Sequence, residues 1–204
     1  MGIVTIFAKG GFLVYFILAC SIFALSSFLD RLLFLQSIRI NADIFFVKLD
    51  KLVRQERVDE AVQICDAHKS PVARIFKVGL KNMGISREKM QILLEDAALL
   101  EFPRLESKLE VLSTVAHICP LLGLLGTVNG MIRAFQVIQE KSQATGLASP
   151  GDLAQGIWMA LITTALGLAV AIPTLVAYNF VLHKVQKIKH DMEKAATKAL
   201  TYAS

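Results

Sequence analysis

The long apolar stretches of this sequence are almost devoid of acid. Asp and Glu number 17 against 22 Lys and Arg. None of the 17 falls within 10–29 or 153–182, and the stretch at 109–138 has only Glu110, in its first turn. Intramembrane proton relays usually need a carboxylate that titrates, so these stretches cannot supply one from their apolar parts. Cysteine is scarce: Cys20, Cys65 and Cys119 are odd in number and scattered, which excludes a disulfide framework and a zinc site. No nucleophile–base pair and no cluster of metal ligands occurs, and GLLGT lies inside an apolar run rather than in a phosphate-binding loop. We therefore expect no catalytic residue, no metal and no cofactor. Between Asp30 and Glu110, 13 acidic residues nearly balance 14 basic ones, which argues against a nucleic-acid surface.

What is present in excess is apolar. Hydrophobic residues make up 54% of 204, and a mean hydropathy of +0.55 exceeds that of an ordinary soluble domain. A helix needs about 20 residues to cross the hydrocarbon core, and three stretches qualify. The expectation is an all-α integral membrane protein. Its spans are 10–29, 109–138 and 153–182, with a helical loop at 30–108, a short outer loop at 139–152 and a helical tail at 183–204. The second and third helices should run on beyond the bilayer. The first run differs from a signal peptide, because only Lys9 precedes it, while Arg31 and Arg39 follow it and the apolar stretch continues past Cys20. Of the 22 basic residues, 14 lie in the loop and five after Leu182, leaving Lys9, Arg133 and Lys141. This distribution places the N-terminus outside and the loop and C-terminus inside.

Within the loop the period is helical. Asn41 is expected to cap a helix from Ala42 to about Arg54, a second helix runs from about Val58 to His68, and Ser70-Pro71 starts a third that stops near Gly84. Ser86 is expected to cap a single helix from Arg87 to about Gln139, bent at Pro103 and Pro120. Asp152 should cap the last helix, bent near Pro173.

The second span carries small residues that lipid does not demand. Gly123, Thr127, Gly130 and Ala134 follow one another at i, i+4, i+7 and i+11, forming a stripe against which another helix can come close. In the third span, Ala160, Thr164, Gly167, Ala171, Thr174 and Tyr178 repeat the spacing. If the two helices are antiparallel, Thr127 and Thr164 lie at matching depth. The hydroxyls of Thr127, Thr163 and Thr164 can hold water but do not titrate near neutrality. Each admits two readings, a bond to its own helix or a place on an ion path whose carboxylate arrives on another polypeptide. His117 reads as a polar helix-end residue in preference to a proton-relay group, Arg133 as snorkelling outward or meeting a partner's acid, and Trp158 and Tyr178 as interfacial aromatics.

CPLLGLLGTVNGMIRAF at Cys119–Phe135 and GIWMALITTALGLAVAIPTLVAYN at Gly156–Asn179 resemble the second and third membrane helices of the MotA/TolQ/ExbB proton-channel family. RLESKLEVLSTVA and CDAHKSPVARIFKVGL fit too, so the likeness covers nearly the whole chain, and three spans favour the ExbB/TolQ branch. The resemblance implies an inner-membrane pentamer around a dimer of an ExbD/TolR-like partner whose single helix brings an aspartate to the pore. Thr127 and Thr164 match the family's pore threonines, and the proton gradient would drive a TonB- or TolA-like protein. The sequence departs from the pattern at Met159, where many members have Glu, and at Asn129, where Trp is common. A sodium-driven stator and a non-conducting membrane scaffold are the competing readings.

Overall fold

A computed structural model describes residues 12–145 and 150–203. Among them every regular element is helical and no strand occurs. The helices are α1 (Phe12–Ser37), α2 (Ala42–Arg54), α3 (Val58–Ala67), α4 (Pro71–Lys81), α5 (Arg87–Glu106), α6 (Leu109–Thr145) and α7 (Pro150–Ala199). A 3-10 turn at Leu200–Tyr202 follows. Three helical stretches, beginning at Phe12, Leu109 and Leu153, are long and apolar enough to cross a membrane. The chain divides into two compact units. One holds the described residues up to Leu29 together with Leu109–Asn179, the other Asp30–Lys108 with the chain from Phe180 onward.

The first unit exposes what a soluble protein buries. Phe12, Phe23, Leu124, Leu161 and Ile172 are all more than half exposed, a surface that suits hydrocarbon rather than water. Its interior is thin and made mostly of small residues: Ala24 and Ser27 on α1, Ala134 on α6, and Ala160, Thr163 and Ala171 on α7. Neither Pro120 nor Pro173 interrupts its helix.

The second unit has an aromatic and aliphatic core. Phe46 of α2 and Phe76 of α4 are buried with ring centres 5.7 Å apart, and the Tyr202 ring meets Phe76 edge-on at 6.0 Å. The Tyr202 hydroxyl donates to Asp50 Oδ1 at 2.9 Å, tying the end of the chain to α2. Arg74 of α4 grips Glu101 of α5 through two bonds, of 2.6 and 2.5 Å, to the two carboxylate oxygens. Glu101 is nearly buried, and such a forked pair satisfies both oxygens that burial would otherwise orphan. Burial pushes the Cys65 thiol up to about 12.

Local signals account for most helix ends. Asn41 Oδ1 accepts from the Ile44 amide at 3.4 Å, as a capping residue should. Pro71 occupies the first turn of α4. Two residues past α2, Glu56 has φ +58; its amide donates to Val53 O and that of Arg57 to Leu52 O, each at 3.0 Å. That is a Schellman closure, with Glu standing where Gly is usual.

Several expectations are corrected. Ser70 and Ser86 precede α4 and α5, but neither side chain makes a capping bond, and Ser70 Oγ is buried without a partner. The single helix from Arg87 to Gln139 is two helices. The break falls at Ser107, which leaves helical geometry with ψ 141, and Lys108, with φ +62. Two neighbouring residues of α1 pin it: Arg31 donates to Arg104 O at 3.0 Å, a carbonyl in the last turn of α5, and Asp30 accepts from Lys108 Nζ at 3.0 Å. Helix α6 runs on to Thr145 and α7 begins at Pro150, so most of the expected outer loop is helical. Asp152 lies inside α7, Pro150 having taken the first position. The expected start of the first span at Gly10, and part of the outer loop at 146–149, lie outside the described residues.

Candidate functional site

Helices α6 and α7 form an antiparallel hairpin whose seam is made by residues without bulk. A methyl added at Gly167 would stand 2.5 Å from the carbonyl oxygen of Cys119. One at Gly123 would stand 2.9 Å from Thr164 Cα, one at Gly126 2.6 Å from Thr163 Cβ, and one at Gly130 2.8 Å from Ala160 Cβ. Gly156 meets Ala134 in the same way. Membrane helices attract one another through close backbone approach rather than by expelling water, so these glycines are what holds the seam together.

The stripes of Gly123, Gly130 and Ala134 on α6 and of Ala160 and Gly167 on α7 therefore face each other within one chain. Ala171 is buried in the same unit. Spacing alone did not single out Gly126 and Gly156 as seam residues. The signal was available in part: Gly123, Gly126, Gly130 and Ala134 at i, i+3, i+7 and i+11 are all Gly or Ala, a cleaner seam than the one through Thr127.

Thr163 and Thr164 sit in this seam, against Gly126 and Gly123, and Thr127 lies on its flank. The Thr164 hydroxyl crosses it and donates to Gly123 O at 2.9 Å, a carbonyl that in the helical ladder also receives the Thr127 amide. Thr163 is buried and donates to Met159 O at 3.0 Å, one turn back in its own helix. Thr127 is half-buried and donates to Leu124 O at 2.6 Å. Thr164 Oγ1 lies at Gly123 O and Thr127 Oγ1 at Leu124 O, carbonyls of adjacent residues whose rise differs by about 1.5 Å, so the two hydroxyls stand at similar depth along the hairpin. All three hydroxyl protons are committed to backbone carbonyls. With the protons so placed each oxygen keeps lone pairs to accept with, and a hydroxyl that rotates off its carbonyl can donate instead.

A crevice of about 210 Å³ opens beside the seam. Phe12 and Leu13 of α1, Asn129 and Arg133 of α6, and Met159 and Thr163 of α7 line it. Thr127 and Thr164 do not. His117 is exposed, with Nδ1 2.6 Å from Ser113 O of its own helix. Trp158 is half exposed. Among the described residues no group of His, Cys, Asp and Glu could hold a metal.

A polytopic helical membrane protein with a glycine-lined hairpin and intramembrane hydroxyls is the class these features define. The sequence model of the MotA/TolQ/ExbB proton channel family matches residues 67–194, and the chain belongs to that family, in its ExbB/TolQ branch. It is 32% identical over 190 residues to the putative biopolymer transport protein ExbB-like 1 of Synechocystis, covering 91% of this chain and 72% of that one. It is 28% identical to the putative biopolymer transport protein ExbB homolog of Methanothermobacter thermautotrophicus, over 90% of this chain and 64% of the relative's length. Over 91 residues it is 42% identical to the Tol-Pal system protein TolQ of Haemophilus influenzae, covering 45% of this chain and 38% of that one.

Proposed function

We propose that this chain is the channel subunit of an inner-membrane motor driven by the proton motive force, whose titrating carboxylate comes from an ExbD/TolR-like single-helix partner. The observation that carries this reading is that the Thr127 and Thr164 hydroxyls, each bonded to a backbone carbonyl, keep lone pairs to accept with, in spans whose apolar parts contain no Asp or Glu. An oxygen whose proton stays on a backbone carbonyl takes a hydrogen bond from a protonated carboxyl or from water, and gives none to a carboxylate. Facing such oxygens away from bulk water, an acid holds its proton more tightly, which raises its pKa toward the working range. A proton can then be taken up on one side, carried past the threonines as neutral acid, and released where water solvates the anion.

In this reading several copies, five by family resemblance, surround a pair of partner helices. The relative motion passes to a TonB- or TolA-like protein, in keeping with the biopolymer-transport and Tol-Pal names of the relatives. The small stripes cover one another inside each chain. Association of copies therefore draws on the exposed apolar faces of α6 and α7, such as Leu121, Val128 and Leu168. The distribution of basic residues supports a periplasmic N-terminus with the loop and tail cytoplasmic.

Hydroxyl lone pairs also suit a hard cation, which keeps a sodium-driven variant as the second reading. Reconstitution in liposomes with and without the acid-bearing partner, under a pH gradient and then a sodium gradient, tests both. We expect proton flux only with the partner. Robust flux from the chain alone overturns the proposal, and flux that follows sodium but not pH moves the assignment to sodium.

A further inference from the structure

We propose that the crevice between α1 and the hairpin binds one acidic phospholipid, its phosphate on Arg133 and Asn129 and part of an acyl chain along Phe12, Leu13 and Met159. Arg133 lies in the outer part of the second span and is exposed, and it makes no hydrogen bond or ion pair among the described residues. No Asp or Glu occurs on α6 between Val111 and Gln139 to neutralise it. A charge so placed reaches the interface or takes an anion, and an unpaired arginine within a span is a functional-site hypothesis by default. Asn129 precedes it by four residues, so the two side chains lie next to each other on one face, with Cβ atoms about 6 Å apart. The guanidinium fork and the amide NH2 together match the oxygens of a phosphodiester.

A second observation points to the same place. Asn129 and Met159 both line this crevice, which is apolar along Phe12, Leu13 and Met159 and cationic at Arg133.

The occupant is a lipid rather than a protein carboxylate because of what surrounds the opening. Phe12, Tyr15 and Phe16 of α1 are exposed at 74%, 61% and 47%, an aromatic and apolar surface of the kind that meets the bilayer interface. Thr127 and Thr164, where a partner's acid is proposed to act, lie outside the crevice. The bound chain would seal the flank of the hairpin beside Thr163 against water.

Trp158, the only tryptophan, stands next to Met159 and is half exposed, so it reports on the site. The full chain is reconstituted in phosphatidylcholine vesicles containing a minor fraction of either brominated phosphatidylglycerol or brominated phosphatidylcholine, and quenching of Trp158 is compared. We expect a roughly fivefold preference for the acidic lipid, the scale of attraction of one interfacial arginine. The preference should vanish in Arg133→Gln and persist in part in Arg133→Lys. Circular dichroism verifies that the variants keep their helices, and the two-lipid comparison on the parent stands without them. Equal quenching by the two lipids overturns the proposal, as does a preference that survives in Arg133→Gln. Loss of the preference in inorganic phosphate but not in chloride of equal ionic strength shows a free-anion site and overturns it too. So does its loss on adding the acid-bearing single-helix partner, which assigns Arg133 to that protein.

Discussion

Replacing Thr164 by Val removes one hydroxyl and keeps the shape of the side chain, so it separates the ion-path role of this residue from its structural one. The structural cost is small. The hydroxyl donates to Gly123 O, and that carbonyl keeps the Thr127 amide as its helical partner, so no buried acceptor is orphaned. Interhelical hydrogen bonds of this kind in a bilayer are worth about 0.6 kcal/mol on average and at most about 1.7. The hairpin, whose seam rests on glycine contacts, should therefore assemble at near-parent abundance. The functional cost is larger, because Val offers no lone pair to a protonated carboxyl or to water. Proton flux in liposomes with the acid-bearing partner should fall roughly tenfold or more, the rate equivalent of about 1.4 kcal/mol on the path. Thr164→Ser keeps the oxygen and should retain most of the flux. Thr163→Val should cost less than Thr164→Val, since Thr163 is buried on Gly126 in the seam with its hydroxyl bonded to its own helix. Flux in Thr164→Val equal to the parent's, at equal membrane abundance, would refute the reasoning, and a loss that merely tracked abundance would assign the hydroxyl to packing alone.

Three other outcomes are expected. Gly167→Ala puts a methyl 2.5 Å from a backbone carbonyl that cannot step aside, so the hairpin must open; about 1–3 kcal/mol of destabilisation is expected, visible as a lower melting temperature in detergent. Glu56→Gly places the preferred residue at a left-handed helix end and removes a negative charge from the C-terminus of α2. It should stabilise the second unit by up to about 1 kcal/mol, and a lowered denaturant midpoint would contradict the Schellman assignment. Cys65, with its thiol pushed up to about 12 by burial, should resist maleimide at pH 8 in the folded protein and react once denatured.

The spans were legible because lipid imposes a composition that survives any detail of packing. Asn41 and Pro71 were legible because a helix start is satisfied within a turn of itself. The break at Ser107 and Lys108 was not, since its determinants are remote: Arg31 and Asp30 reach Arg104 and Lys108 from 73 and 78 residues away. The hairpin shows a subtler ambiguity. From Gly123 two stripes of small residues are possible, one stepping to Gly126 and one to Thr127, and periodicity ranks them equally. Backbone contact breaks the tie, because a residue with no side chain on α6 lets Thr163 of α7 come closest, so the helices close over Gly126 and leave Thr127 on the flank. That choice bears on function. Had the threonine taken the seam, its oxygen would be enclosed by α7. Displaced to the flank and half-buried, with its proton already given to Leu124 O, it keeps its lone pairs within reach of a group that neither helix of the hairpin provides.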